Sequence, residues 1–366
     1  MPADPIYEAL GGASGCRALS AALYSHIKRD GFLRPLFPGK TLHCAIEEFA
    51  AFLVQFLGGE AEHTQRRWWV SLHESHRRFR ITRRHRDAWF RNMCMALQAA
   101  SLDASARATL HEFFAQSSIH LINDSPASHP TVAALPNRWK RQLVADHAIE
   151  AIRAGDTRQA VELTDLCAAE SRQLYCGLLI EMIQSGSPDL LTHLCEKLDA
   201  DQSLTLERFA SRTFLHYAAA SGHLALVQQL LRLGTHPDVH DGGGHTPLYA
   251  VANQCLAPAG AQIVRALVSA GADVNAHDGV QQTTPLHLAA RRNNVDVATA
   301  LLDCGAALDA RDRTGDTPLR RAVNCNQTRI AALLLSRGAN PDSVGSKGLT
   351  PRSAARTSAM RSLFGV

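Results

Sequence analysis

Five segments of the C-terminal half align on a threonine: "TFLHYAAASGHLALVQQLLRLG" from Thr213, "TPLYAVANQ" from Thr246, "TPLHLAARRNNVDVATALLDCG" from Thr284, "TPLRRAVNCNQTRIAALLLSRG" from Thr317 and "TPRSAARTSAM" from Thr350. Their spacings are 33, 38, 33 and 33, so one unit carries extra residues, which the pattern places within Asn253 to Ala261. A fixed period of this length restricts the fold more than composition does. Each unit is one supersecondary element that cannot bury its apolar face alone, so the units must stack. The local chemistry agrees: threonine caps a helix start, proline suits the first helical position, and leucine faces the core. The "GAD" and "GAN" pieces, Gly271 to Asp273 and Gly338 to Asn340, supply the left-handed glycine that ends the second helix of a unit. Upstream, "AIEAIRAGDTRQAVELTDL" from Ala148 and "LLIEMIQSGSPDLLTHLCEKL" from Leu178 read as the same helix pair without the Thr-Pro signature. Such degenerate or capping units shield an end that would otherwise expose its apolar face.

Period and motif together make this half resemble the ankyrin repeat, with about six to seven units. The resemblance implies an α-solenoid whose concave face binds a protein partner, one the sequence leaves unidentified. It also gives His216 and His287, in the T-x-L-H pattern, a structural role bonding backbone between repeats rather than holding a metal. No catalytic constellation is read here.

With 366 residues the chain exceeds one ordinary core, at about 150 residues per domain. The stretch "INDSPASHPTVAALPNRWK", residues 122–140, holds three prolines that break every helical pattern. The expected division is a helical domain over 1–123, a linker over 124–142 and the repeats over 143–366. No run approaches the ~20 apolar residues of a membrane helix, and the start "MPADPIYEALGG" has no basic region followed by an apolar one. The nine cysteines are scattered, odd in number and without C-x-x-C, as expected of free thiols in a reducing compartment. A cytoplasmic protein is therefore expected, and a net charge of +4 over this length does not itself imply nucleic acid.

Before the linker the pattern is helical and does not repeat. "TLHCAIEEFAAFLVQFL" places Leu42, Ala45, Phe49, Phe52 and Phe56 at steps of three and four, one strongly apolar face. Gly58-Gly59 is expected to stop that helix. "RALSAALYSHIKRDG" clusters Leu19, Leu23, Tyr24 and Ile27, and "DAWFRNMCMALQAA" and "ARATLHEFFAQSSIHLI" add two more helices. On the residues alone, a packed core and a large apolar ligand held between helices are both open.

The ordered strings "YEALGG", "LYSHIKRDGFLRPLFPG", "EEFAAFLVQFLGG", "ESHRRFRI" and "RDAWFRNM" resemble a truncated haemoglobin, more particularly of group II, over residues 6 to about 122. The whole chain then reads as all-α, a short globin-like helical haem domain followed by an ankyrin-repeat α-solenoid. The resemblance makes His76 the proximal ligand of haem iron, with Phe79 and Ile81 following in its H-x-x-F pattern. Tyr24 falls at the distal tyrosine and Trp89 at the tryptophan typical of groups II and III, both able to donate a hydrogen bond to a bound diatomic. Phe37 takes the place of the aromatic that packs on the haem face, and Phe49 and Phe52 line the pocket. Ala45 stands where many globins have histidine or glutamine, leaving Tyr24 and Trp89 to dominate distal polarity. Without C-x-x-C-H the haem is expected to be non-covalent, of the b type, with its iron five-coordinate. Oxygen, nitric oxide and carbon monoxide are the expected ligands.

Between Arg66 and Arg91 nine arginines face only Glu74 and Asp87, beside Trp68 and Trp69. That mixture suits nucleic acid by charge and stacking, but haem propionates also need cations, and Arg67, Arg77 and Arg78 are preferred for them. His73 and His76, three apart, would make a transition-metal pair, but no suitably spaced cysteine or carboxylate completes a zinc site. Glu48 and His73 stand where the comparison with relatives expects basic residues. Three functions are weighed: a binder of oxygen or another diatomic, for sensing or targeted delivery; a haem-dependent enzyme, peroxidase-like or a nitric oxide dioxygenase; and a haem-free interaction scaffold.

Overall fold

The computed structural model describes residues 5–37, 41–57, 81–122, 137–168 and 172–365. They form two compact units, Met1–Leu178 and Leu179–Val366. The fold is all-α: among the described residues no strand is present beyond an isolated bridge between Phe209 and Arg212. None of the described helices is long and apolar enough to cross a membrane.

The first unit opens with α1 (Pro5–Leu10) and α2 (Gly12–Ile27). They meet at Gly11, in left-handed backbone at φ 87°. A Cβ on Gly15 would lie 1.5 Å from the Leu10 carbonyl oxygen, so the reversal from α1 into α2 needs glycine there. Helices α3 (His43–Phe56), α4 (Arg83–Ala99) and α5 (Ala104–Ser117) follow. Cys16, Leu19, Leu23 and Ile27 form the buried stripe of α2, at the three- and four-residue steps its sequence shows. It packs with Leu53 of α3, Met93 and Leu97 of α4, and Leu110 and Phe114 of α5. Polar ties fix the angles between helices: Ser20 Oγ donates to the Ile46 carbonyl (2.7 Å), and Asn92 Nδ2 donates to Asp30 Oδ2 (2.9 Å). Asp30 Oδ1 also accepts from the backbone N–H groups of Phe32 and Leu33, which sets the turn leaving α2. Thr82 caps α4 in a reciprocal box with His85.

Helix α6 (Asn137–Ala154) begins inside the stretch read as linker, and packs on α7 (Thr157–Ala168). Helices α8 (Arg172–Ser185) and α9 (Pro188–Ala200) follow. Gly155 (φ 76°) follows α6 and Gly186 (φ 69°) follows α8, both in the left-handed region.

In the second unit the Thr-Pro signature becomes geometry. The inner helices α10 (Phe214–Ser221), α12 (Pro247–Gln254), α14 (Pro285–Arg292), α16 (Pro318–Asn324) and α18 (Pro351–Ala354) each start behind the signature threonine, and each packs on the next. The outer helices are α11 (Leu224–Arg232), α13 (Gly260–Ser269), α15 (Val295–Asp303), α17 (Thr328–Ser336) and α19 (Ser358–Ser362). Gly234, Gly271, Gly305 and Gly338, at φ 86° to 98°, follow α11, α13, α15 and α17 in the left-handed region. Gly222 (φ 84°), Asn293 (φ 59°) and Asn326 (φ 54°) follow α10, α14 and α16 in the same region.

The extra residues of the Thr246 unit are not confined to one place. Thr-to-Gly spacing is 21 in the units of Thr213, Thr284 and Thr317 but 25 in this one, and the next threonine then comes 13 residues after Gly271 rather than 12. Part of the excess is the connector Cys255–Ala259, part lengthens α13, and one residue falls in the hairpin before Thr284, where Gln282 takes φ 54°. The connector is packed: its Cys255 carbonyl accepts from Asn294 Nδ2 at 2.8 Å, and a Cβ on Gly222 would lie 2.3 Å from the Ala257 Cβ.

Candidate functional site

Tyr24 lies on the buried stripe of α2, its side chain 8% exposed. Its ring meets two phenylalanines edge-on: Phe37 at 5.5 Å and 88°, and Phe49 at 6.3 Å and 78°. Phe49 is the hub, because α3 carries Ala45, Phe49 and Phe52 on one face at steps of four and three. Phe52 stacks on Phe49 at 6.0 Å, Trp89 of α4 meets it edge-on at 6.2 Å, and Phe114 of α5 tilts against it at 6.2 Å. Trp89 and Phe114 close the ring of contacts at 5.9 Å. Edge-to-face pairs of this kind suit the ring quadrupoles and hold each side chain in a defined orientation.

The cluster holds two polar donors. Among the described residues, neither the Tyr24 hydroxyl nor the Trp89 indole N–H has a hydrogen-bond partner. A buried phenol such as that of Tyr24 normally finds one; Trp89 is half-buried. Burial, with the negative charge of Glu48 adding to it, pushes the Tyr24 phenol well above its ordinary pKa, so it stays a protonated donor.

Of the residues singled out in the sequence, Tyr24, Phe37, Ala45, Phe49, Phe52 and Trp89 therefore come together. Ile81 is buried one residue before the Thr82 cap. His76, Arg67, Arg77 and Phe79, with His73 and Arg78, lie outside the described residues. Phe114, 1% exposed, belongs to the cluster and was not singled out. Its signal was available in the stripe Ala106, Leu110, Phe114, spaced four apart along α5.

A family model for bacterial-like globins matches residues 5–123, and one for ankyrin repeats (three copies) matches 179–278 and 255–344. Residues 5–123 form a bacterial-like globin domain, joined to ankyrin repeats over 179–344. Bacterial-like globins generally bind haem, and the aromatic cluster lies wholly inside the globin match. The chain is also similar to cyclin-dependent kinase 4 inhibitor B of Bos taurus, 36% identical over 98 residues, 27% of this chain and 71% of that protein. It is 32% identical over 138 residues to palmitoyltransferase ZDHHC13 of Pongo abelii and 36% identical over 110 residues to ankyrin repeat and SOCS box protein 16 of Homo sapiens. Each of those two matches takes in 29% of this chain, and they span only 22% of the respective relatives.

In the ankyrin repeats, His216 and His287 bond backbone rather than forming a ligand pair. Each accepts the N–H of its own unit's threonine on Nδ1 and donates from Nε2 to a carbonyl of the next hairpin, His245 and Asp316 respectively, at 3.0 Å. In the Thr317 unit Arg320 occupies the histidine's place: its Nη1 donates to the Thr350 carbonyl (3.2 Å) and its Nε lies 3.7 Å from Asp316 Oδ1.

Proposed function

We propose that residues 1–123 of the globin domain hold a b-type haem and bind a diatomic ligand reversibly, oxygen foremost. Residues 124–142 link it to repeats over 143–366 that dock it on a protein partner, in the cytoplasm. What carries the reading is the apolar aromatic cluster into which Tyr24 and Trp89 bring two donors that have no partner among the described residues. A polar ligand held between them would accept from both.

When bound, haem would supply an iron able to take a diatomic ligand. The Tyr24 hydroxyl would donate a hydrogen bond to that ligand and the Trp89 indole N–H a second. Phe37, Phe49 and Phe52 keep water away from both donors, so each bond forms without a competing solvent molecule. Ala45 adds no polar group of its own. His76 is assigned as the axial ligand, Phe79 and Ile81 as its packing neighbours, and Arg67 and Arg77 as the propionate partners; these rest on the resemblance to truncated haemoglobins.

The visible absorption spectrum of the purified protein, with and without added haem, tests the reading. A Soret band that is lost in His76→Ala supports it. A protein that takes up no haem, or takes it up equally without His76, overturns it. Turnover of peroxide or nitric oxide, set against oxygen dissociation, then separates an enzyme from a binder.

A further inference from the structure

The inner helices of the repeats are basic. Across α10, α12, α14, α16 and α18 there are Arg291, Arg292, Arg320, Arg321 and Arg352, and not one aspartate or glutamate. Three of these arginines have carboxylate partners in neighbouring hairpins: Arg320 with Asp316, Arg321 with Asp312, and Arg352 with Asp342. Arg291 and Arg292 do not. Arg291 Nη2 and Arg292 Nε both donate to one neutral atom, Asn253 Oδ1, at 3.1 and 3.0 Å, and among the described residues no carboxylate pairs with either. Both are exposed. Their position in the last turn of α14 complements the helix dipole, which accounts for cations there but not for two of them converging on a single neutral oxygen.

Beside Arg291 opens a cleft of about 260 Å3, bordered by Tyr249, Asp278, Leu288 and Arg321. Its own acid is already engaged, because Asp278 accepts from the Thr283 hydroxyl and the Gln281 N–H. Arg321 is likewise held by Asp312. Against the cost of burial, the hydrogen bonds to Asp278 hold its carboxyl below its ordinary pKa and leave it charged, with no ion pair among the described residues. Arg291 and Arg292 set against Asp278 thus leave the mouth with a net positive charge. Tyr249 already stacks one ring face on His245 (4.1 Å, 29°), so the surface lacks the succession of free aromatic faces that holds a nucleic-acid strand.

We propose that the repeats bind an acidic peptide segment of a partner protein, one of its carboxylates seated on Arg291 and Arg292 and an adjacent side chain filling the cleft beside Leu288. The inference rests on the protein-docking role given to the repeats above. Two guanidiniums a residue apart take a carboxylate through paired, charge-assisted N–H bonds, which a neutral amide oxygen only partly replaces.

The test uses the full-length protein and fluorescein-labelled peptides on one Leu/Tyr framework that differ only in carrying Glu, Gln or Lys at alternate positions, read by anisotropy. The Glu peptide is expected to bind at least about tenfold more tightly than the Gln peptide and to weaken with salt. Arg291→Gln/Arg292→Gln is expected to remove that preference, while Arg291→Lys/Arg292→Lys keeps part of it; circular dichroism confirms that both fold. Equal binding of all three peptides, or an unchanged double variant, overturns the proposal. If the Gln or Lys peptide binds best and Tyr249→Ala abolishes it, the acidic class falls and the docking role stands. A single-stranded oligonucleotide that outcompetes the Glu peptide overturns both.

Discussion

His287 donates its Nε2 proton to the Asp316 carbonyl at 3.0 Å while its Nδ1 accepts the Thr284 N–H at 3.2 Å. A carbonyl can only accept and a backbone N–H only donate, so Nε2 carries the proton, Nδ1 does not, and the ring is neutral with its tautomer set by the two repeats it joins. Burial pushes His216, in the same arrangement, down to about 4, and moves His287 in the same direction. The unfolded chain protonates these rings near pH 6.5 and the folded chain does not. Stability is therefore full above about pH 6.5 and declines toward pH 4, by roughly 3 kcal/mol for His216. Urea unfolding between pH 7.5 and 5, above the carboxylate range, should show this decline, and His216→Gln/His287→Gln should flatten it.

Arg320 and Asp316 form a buried pair at the place where the Thr213 and Thr284 units have histidine. Removing that cation leaves buried Asp316 with the Ser346 N–H and hydroxyl and the more distant Arg321 Nε at 4.0 Å. Arg320→Leu should cost about 3–5 kcal/mol, and adding Asp316→Asn should return part of it. Thermal or urea unfolding of the two variants measures the difference, and equal losses would refute the pairing.

Tyr24→Phe removes a donor and leaves the ring contacts with Phe37 and Phe49 in place. In haem-loaded protein it should speed oxygen release by about fivefold to a hundredfold, as a desolvated hydrogen bond of about 1–3 kcal/mol implies. Stopped-flow dissociation gives the rate. An unchanged rate would leave Tyr24 a packing residue.

Phe114 has no polar role and is fully buried against Phe49 and Trp89. Phe114→Ala should destabilise the globin domain by about 3–5 kcal/mol. Because the cavity would open beside Trp89, its fluorescence should shift red even where the domain remains folded.

The repeats were legible because the units restate the same local rules: a threonine cap, a proline at the first helical position in all but the Thr213 unit, and a left-handed residue after the outer helix. What escaped was particular. Arg320 stands in a histidine's place, and its partner Asp316 is brought to it by the hairpin rather than by any spacing a period reveals. The extra residues of the Thr246 unit were counted correctly but assigned to one segment, since a sequence offset gives a total and not its distribution. In the globin domain the apolar faces of α2, α3 and α4 could be read from three- and four-residue steps. That Tyr24, Phe49 and Trp89 meet depends on how those faces pack, and only the family resemblance pointed to it. Phe114 was passed over because the exposed Glu112 and the paired Phe113 blur the stripe to which it belongs.

The connector Cys255–Ala259 sets the order in which these units can be strung. Asparagine closes the inner helices at Asn293 and Asn326 and tolerates left-handed backbone well, yet at position 222 its Cβ would collide with Ala257 of the following unit. From the other side Asn294 is tied to the Cys255 carbonyl. The Thr213, Thr246 and Thr284 units are thus keyed to one another, so they repeat in sequence without being exchangeable. A shuffled or trimmed array would have to carry all three as one block.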